Sequence, residues 1–282
     1  MKILLLLLFP LAINCQTFIE GTIINKTTKQ GIPYATVGLI NENRGTNANE
    51  DGTFRLTIRK NSTDTIIISS AGYETTKFPA DNLPTKFQFE IAEKKIQLSD
   101  IVLKSSFSSS YTLNDYANCG FNSYTSSGSI TQVAQHLQSP IANSLLSELY
   151  ICKEGDNSIF RIRVYDMDPV TGKPSNELAD TIIEVRSGKR HVQVNLEKYH
   201  IIIPGKDFFV GIEWLYIPSN ESKVKVKSNG QKFRLSQYSP FLFFKNRKSN
   251  SDMLEAWQLD YRRKWVSMTG NWTFLISAKV KY

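Results

Sequence analysis

Histidine is scarce in this 282-residue chain, with His136, His191 and His200 as the whole complement. None stands at H-x-x-x-H or H-E-x-x-H spacing, which excludes the helical zinc motif of metallopeptidases. His191 and His200 bracket HVQVNLEKYH, which reads as one strand with a histidine at each end, so all three histidines read as surface or edge residues. Cysteine is equally scarce, at Cys15, Cys119 and Cys152, and no C-x-x-C cluster occurs. There is no P-loop and no G-x-G-x-x-G, and no cofactor is expected. The nearest approach to a serine nucleophile elbow, SSGSITQ, lacks the second glycine and a preceding strand. Beyond Ile13 no apolar run is long enough to cross a bilayer as a helix.

The chain opens MKILLLLLFPLAINCQ, one lysine followed by an apolar run from Ile3 to Ile13. That run is shorter than the roughly 20 apolar residues a spanning helix needs. Residues 1–15 are therefore expected to be a signal peptide, and the protein to be exported to the periplasm, the outer-membrane surface or the medium. Two processing routes are open. Cleavage after Cys15 leaves Gln16 as the mature N-terminus. Alternatively LAINC serves as a lipoprotein box, with Asn14 where Gly, Ala or Ser is usual, and a lipid on Cys15 is the only expected attachment to a membrane. Cys119 and Cys152 form an even pair that can close a disulfide in an exported protein or stay as two thiols.

The formal net charge is +8, and between Lys223 and Lys264 stand eleven Lys or Arg against three acids, an excess equal to the whole. Such a balance suits polyanions such as acidic glycans or lipopolysaccharide, and export removes nucleic acid from contention.

From Thr17 to Lys104 the segments TFIEGTII, PYATVGLI, GTFRLTI, DTIIIS, YETTKF and KFQFEI alternate or run apolar, with Gly, Pro, Asn and Asp at the joints. This spacing predicts a small β-sandwich or barrel. Within it, Asn47, Asn49 and Asp51 fall at alternate positions before Gly52, as in the opening of an EF-hand. The twelfth position would be Ile58, where a bidentate Glu is required, and the flanks are strands. Asp51-Gly52 therefore reads as a hairpin turn and no metal site is expected there.

Gly21, Pro33, Ala35, Val37, Gly45, Thr46, Gly52, Phe54, Ser69, Gly72 and Tyr73 carry a family resemblance. Residues 18–92 resemble the carboxypeptidase-regulatory-like domain of exported Bacteroidetes proteins, with Asn47 in place of the usual Thr. The resemblance implies a transthyretin-like seven-stranded sandwich acting as a structural module, without peptidase activity. In receptors with this module a segment like Leu98, Asp100, Ile101 and Val102 leads into a plug and barrel, but the remaining chain of about 180 residues is too short for that.

The expected division is residues 17–104 as this domain, 105–128 as a Ser-rich linker and 129–282 as a second domain. SGSITQVAQHLQSPIANS is expected to hold one short helix with Ile130, Val133, Ala134 and Leu137 on one face. Nine further β patterns predict a larger jelly-roll-like β-sandwich, making the chain all-β overall. FRIRVYDMDPVTGKPSNEL and DFFVGIEW resemble a β-sandwich region that often accompanies the first module and has no settled activity. Asp166 and Asp168 share a strand face, but the turn formers of DPVTGKP make them loop caps before calcium ligands. Trp257, Tyr261, Arg262, Arg263 and Trp265 are the candidate ligand-binding residues, since aromatic faces stack on sugars and cations pair with acidic substituents. The expected function is a non-enzymatic envelope protein that binds a glycan or other envelope component, or alternatively a protein partner through a sheet edge.

Overall fold

The structure is a computed structural model and describes residues 16–59, 62–81, 86–94, 107–116, 118–155, 157–179, 181–228, 230–246, 255–268 and 272–282. The leader, Cys15 with its two processing routes, and the Leu98–Val102 segment lie outside these residues.

The first domain has strands β1 (Gln16–Asn25), β2 (Thr36–Leu39), β3 (Arg44–Asn47), β4 (Thr53–Arg59), β5 (Thr65–Ser69), β6 (Thr76–Pro79) and β7 (Lys86–Ile91). They form two sheets, β4-β1-β7 and β3-β2-β5-β6, with β1 antiparallel to β4 and parallel to β7. β4 shows why the sheets face each other. Its Phe54, Leu56 and Ile58 point inward while Arg55, Thr57 and Arg59 stay exposed, the period-2 pattern of a strand with one wet face. Those side chains meet Val37, Leu39, Ile66 and Ile68 of the opposite sheet, each burial contributing about 1.5–3 kcal/mol. Phe89 is fully buried among the rings of Phe54, Phe78 and Phe87.

Asp51-Gly52 is a turn, as its residues predict. The Asp51 carboxylate accepts the Thr53 amide at 2.9 Å and the Thr53 hydroxyl at 2.6 Å. Gly52 has φ +84, and a Cβ there would lie 2.6 Å from the Ile23 carbonyl oxygen. The hairpin expectation needs correction, because β3 and β4 on either side belong to opposite sheets. The turn is a corner of the sandwich.

The second domain is also all-β. Its strands are β8 (Ser110–Leu113), β9 (Ser123–Ser126), β10 (Ile130–Gln138), β11 (Ser144–Glu154), β12 (Ser158–Met167), β13 (Pro174–Glu177), β14 (Ile183–Ser187) and β15 (His191–Asn195). They continue with β16 (Ile202–Ile203), β17 (Asp207–Trp214), β18 (Glu221–Ser228), β19 (Gln231–Asn246), β20 (Ala256–Asp260), β21 (Trp265–Ser267), β22 (Trp272–Phe274) and β23 (Ile276–Lys281). One sheet runs β13-β12-β17-β10-β20-β21, with β14 also on β12. The other runs β18-β19-β11-β23-β8, with β15 and β16 on β11, and β9 and β22 on β19. Phe160, Ile162, Val164, Val210, Ile212 and Trp214 of the first sheet face Leu146, Leu149, Ile151, Ala278 and Val280 of the second.

Several expectations are corrected here. The segment expected to be a short helix is β10. Its apolar residues at 130, 133, 134 and 137 fit a helical face, but they arise because this strand lies inside its sheet, between β17 and β20, with residues buried on both faces. The span expected as a linker contributes β8 and β9, which pair with β23 and β19. HVQVNLEKYH is a strand only to Asn195, and His200 follows a short 3-10 turn with φ +48. FRLSQY and FLFF are parts of one 16-residue strand.

Cys119 and Cys152 form a disulfide, Cα–Cα 5.4 Å, that fastens the connection between β8 and β9 to β11. With a sequence separation of 33 between the partners, closing such a loop is worth about 2–4 kcal/mol. Cys119→Ser is expected to lower unfolding free energy by about that amount. In denaturant titrations a reducing agent should then weaken the wild type and leave the variant unmoved.

Candidate functional site

The sheet containing β12, β17 and β10 buries both faces. Residues pointing away from the core form rows across the strands by register: Arg161, Glu213 and Gln132; Arg163, Gly211, Ala134 and Trp257; Tyr165, Phe209 and His136. Arg161 is 1% exposed and Glu213 3%, and a charge so placed requires partners. Arg163 donates through Nε to Glu213 Oε2 at 2.8 Å and through Nη1 to Glu177 Oε1 at 2.6 Å. The Tyr165 hydroxyl donates to Gln132 Oε1 at 2.7 Å. Burial alone would push the Glu213 carboxyl up, but the Arg163 and Arg161 guanidiniums outweigh it and hold the group below the ordinary carboxylate range.

The remaining partners come from the first domain. Arg161 donates to the carbonyls of Pro33 at 2.7 Å and Tyr34 at 3.3 Å, and the Thr36 hydroxyl donates to Glu213 Oε1 at 3.4 Å. Tyr34 packs with Ile159, Leu215 and Ile217, while its hydroxyl accepts from Arg186 Nη2 at 2.8 Å. The strand end β2–β3 of one sandwich is thus docked on the outer face of the other.

The five candidate ligand residues all lie on β20, β21 and the turn between them, yet they make no open platform. Trp257 is 8% exposed and Tyr261 1%, so neither ring can stack on a sugar, and that expectation is corrected. Tyr261 lies on the Gly38–Gly45 pair of the first domain. Trp265 is half-buried, edge-on to Tyr165 with centroids 5.4 Å apart. Arg262 and Arg263 are exposed; Arg262 Nε donates to the Ile40 carbonyl at 3.4 Å, and Arg263 takes φ +61 in the turn. Aromatic residues in a basic stretch looked like a ligand surface, whereas Tyr261 serves the contact between domains and Trp257 and Trp265 pack with Ala134, Tyr165 and Phe209 of their own domain. Asp166 and Asp168 are loop caps. Asp166 accepts the side-chain amide of Asn176 at 3.0 Å, and Asp168 the amides of Val170 at 2.9 Å and Thr171 at 2.7 Å.

Another part of the basic stretch is open. From Ser222 and Gln237 outward, β18 and β19 pair only with each other, forming a two-stranded ribbon that turns at Gly230 with φ +79. Directly opposed residues share a face. One face carries Val224 opposite Leu235 and Val226 opposite Phe233. The other carries Lys223, Lys225 opposite Arg234, and Lys227 opposite Lys232. All five cations are exposed, and none has an acidic partner among the described residues. At the base of this face Glu221 accepts the Ser236 hydroxyl at 2.6 Å.

The sequence from residue 19 to 103 matches the CarboxypepD_reg-like domain family. These residues are a CarboxypepD_reg-like domain. No curated protein matches the chain. Among solved structures, the chain has 13% identity to the cysteine protease and lectin-like domains of Cwp84, a surface-layer-associated protein of Clostridium difficile. That match covers 55% of this chain and 32% of that one, with a TM-score of 0.33. A second Cwp84 structure, of a variant after propeptide cleavage, is 12% identical over 84% of this chain and 51% of its own, with a TM-score of 0.40. A putative carbohydrate binding protein from Bacteroides uniformis is 9% identical, covering 80% and 96% of the two chains, with a TM-score of 0.23. This chain spans a third to a half of the two Cwp84 structures, and at such scores none of these likenesses bears on function.

Within the CarboxypepD_reg-like domain, residues of the motif lie at the contact. Pro33 supplies a carbonyl to Arg161, and Gly45 lies under Tyr261. Asn47 accepts the Tyr216 amide of the second domain at 2.8 Å through Oδ1. Its Nδ2 donates to the Tyr34 carbonyl at 3.0 Å and to Thr36 Oγ1 at 3.2 Å. A Cβ at Gly38 would lie 2.3 Å from Tyr261 Cδ1, and its three nearest atoms all belong to that side chain. Gly38→Ala is therefore expected to cost about 1–3 kcal/mol, and almost nothing in a Tyr261→Ala background; a double-mutant cycle by denaturant unfolding reads the coupling. A depressed carboxyl contributes stability that is complete above its unfolded pKa of about 4.3 and lost as pH falls through the folded value. Glu213→Gln should flatten that acid slope while costing about 3–5 kcal/mol near neutrality, because the buried Arg161 loses its neighbouring carboxylate and Arg163 keeps only Glu177.

Proposed function

We propose that this chain is a non-enzymatic, exported protein of the cell envelope whose second sandwich binds an acidic glycan along the β18–β19 ribbon. The carrying observation is the opposition of like charges there, Lys225 to Arg234 and Lys227 to Lys232. Like charges directly across a ladder destabilise it, so the arrangement costs folding energy that a bound polyanion would offset. Along one strand, cations on this face recur every ~7 Å, two residues of rise, a spacing suited to a repeating anionic chain. The regulatory-like domain acts as a docked spacer. Export accords with the apolar leader and with a disulfide. The non-enzymatic reading is supported by the burial of the perturbed groups Arg163, Tyr165, Glu213 and Tyr261 at or beside the contact between domains, while Tyr116, raised by burial, packs against the disulfide region.

A second reading rests on β18 being a sheet edge beside an apolar face on which Phe233 is 45% and Leu235 37% exposed, a surface to which an extended protein segment could add a strand.

The test is a pair of opposite responses in Lys225→Gln/Arg234→Gln. Stability should rise by a few tenths of a kcal/mol, while binding to alginate, read at low salt, should fall at least about tenfold, a loss of ~1.4 kcal/mol. Wild-type binding should weaken steeply with salt and be absent on neutral dextran. Unchanged alginate binding in the variant would overturn the glycan reading, and failure of the wild type to bind alginate at low salt would favour strand addition.

A further inference from the structure

The disulfide has a third metal-ligating side chain beside it. His191 stands opposite Cys152 in the β11–β15 register. Its ring nitrogens lie 3.5 Å from Cys119 Sγ, and Nδ1 lies 3.9 Å from Cys152 Sγ. The two sulfurs and a ring nitrogen all lie within 4.8 Å of one another.

Tetrahedral zinc holds thiolate sulfur at about 2.3 Å and imidazole nitrogen at about 2.0–2.1 Å. Those bond lengths put neighbouring sulfur and nitrogen about 3.6 Å apart, and two sulfurs about 3.8 Å apart. Both sulfur–imidazole separations here are already close to the tetrahedral value. Only the two sulfurs have to part, and breaking the bond between them permits that. Cys152 is buried on β11, Cys119 is half-buried on a connection, and His191 is exposed, so a cation can enter from solvent and keep a solvent-facing fourth position. Arg190 donates to the Gly120 carbonyl at 2.9 Å, tying the connection that carries Cys119 to the residue before His191.

We propose that Cys119, Cys152 and His191 form a binding site for one soft divalent cation of the zinc type when the disulfide is reduced. A dithiol reductant delivers two electrons and two protons to the sulfur–sulfur bond and is itself oxidised to a disulfide. The two thiols formed then lose their protons to solvent as the cation binds the thiolates. The connection between β8 and β9 is held to β11 in either state, by a covalent bond in oxidising surroundings and by a metal in reducing ones.

Cobalt(II) titration of the full chain, reduced with a phosphine and handled without oxygen, tests this. One equivalent should bind with intense thiolate-to-cobalt charge-transfer absorption and the d–d bands of a tetrahedral ion, displaceable by zinc. The oxidised chain should show neither. His191→Ala alters an exposed position and should weaken cobalt binding at least tenfold with unchanged circular dichroism; Cys119→Ser should abolish the charge-transfer band. No charge-transfer band in the reduced wild type would overturn the proposal, as would equal affinity in His191→Ala, which would mean an adventitious dithiol only.

Discussion

The Arg161–Glu213–Arg163 cluster constrains the rest of this molecule. These side chains stand on the outer face of the β12–β17–β10 sheet, and on an isolated second domain Arg161 would lack the carbonyls that now receive it. With the regulatory-like domain in place, the Pro33 and Tyr34 carbonyls receive both terminal nitrogens of Arg161 and the Thr36 hydroxyl reaches Glu213. Burial lowers the Arg161 pKa even with Glu213 nearby, so this guanidinium depends on its backbone acceptors. Because truncating one partner of a buried charge set leaves the others unpaired, the cluster binds the two sandwiches as one stability problem. The Tyr261 ring on Gly38 and Gly45 then adds shape to a contact that the charges require.

Much of the fold was legible because strands declare themselves by alternation and turns by their glycines. β4 read correctly, to within a residue at each end, from GTFRLTI, and Asp51-Gly52 read correctly as a turn. The errors share a cause. In β10 both faces are buried, so apolar residues are not confined to one parity, and a helical spacing appeared by coincidence. In β12 Arg161 and Arg163 alternate with Ile162 and Val164, yet all four are buried, and Arg161 meets the first domain. The same confusion misplaced the candidate ligand residues, since Trp257 and Tyr261 had the composition of a binding surface and belong to an internal one. Nothing in its sequence neighbourhood marked Asn47 as a contact residue, yet its side chain reaches across to Tyr216.

The two surfaces treat charge in opposite ways. At the domain contact every guanidinium in the cluster finds an acceptor. On the β18–β19 ribbon, cations face cations in full solvent, where screening keeps the repulsion small. Burying a charge forces its neighbours to be chosen for stability, whereas exposure leaves them free to be chosen for encounter.

The place of β23 in its sheet bears on how the chain acquires its structure. Ile276–Lys281 lies between β11 and β8, strands from far earlier in the sequence. The central β11 and the edge strand β8 cannot be joined until this last described strand exists. The first sandwich can condense while the polypeptide is still emerging, but the second is a fold of long-range closures, slow by topology. Until then the β12 charges and the apolar faces around them are open to water, and a completed first sandwich offers them a preformed partner.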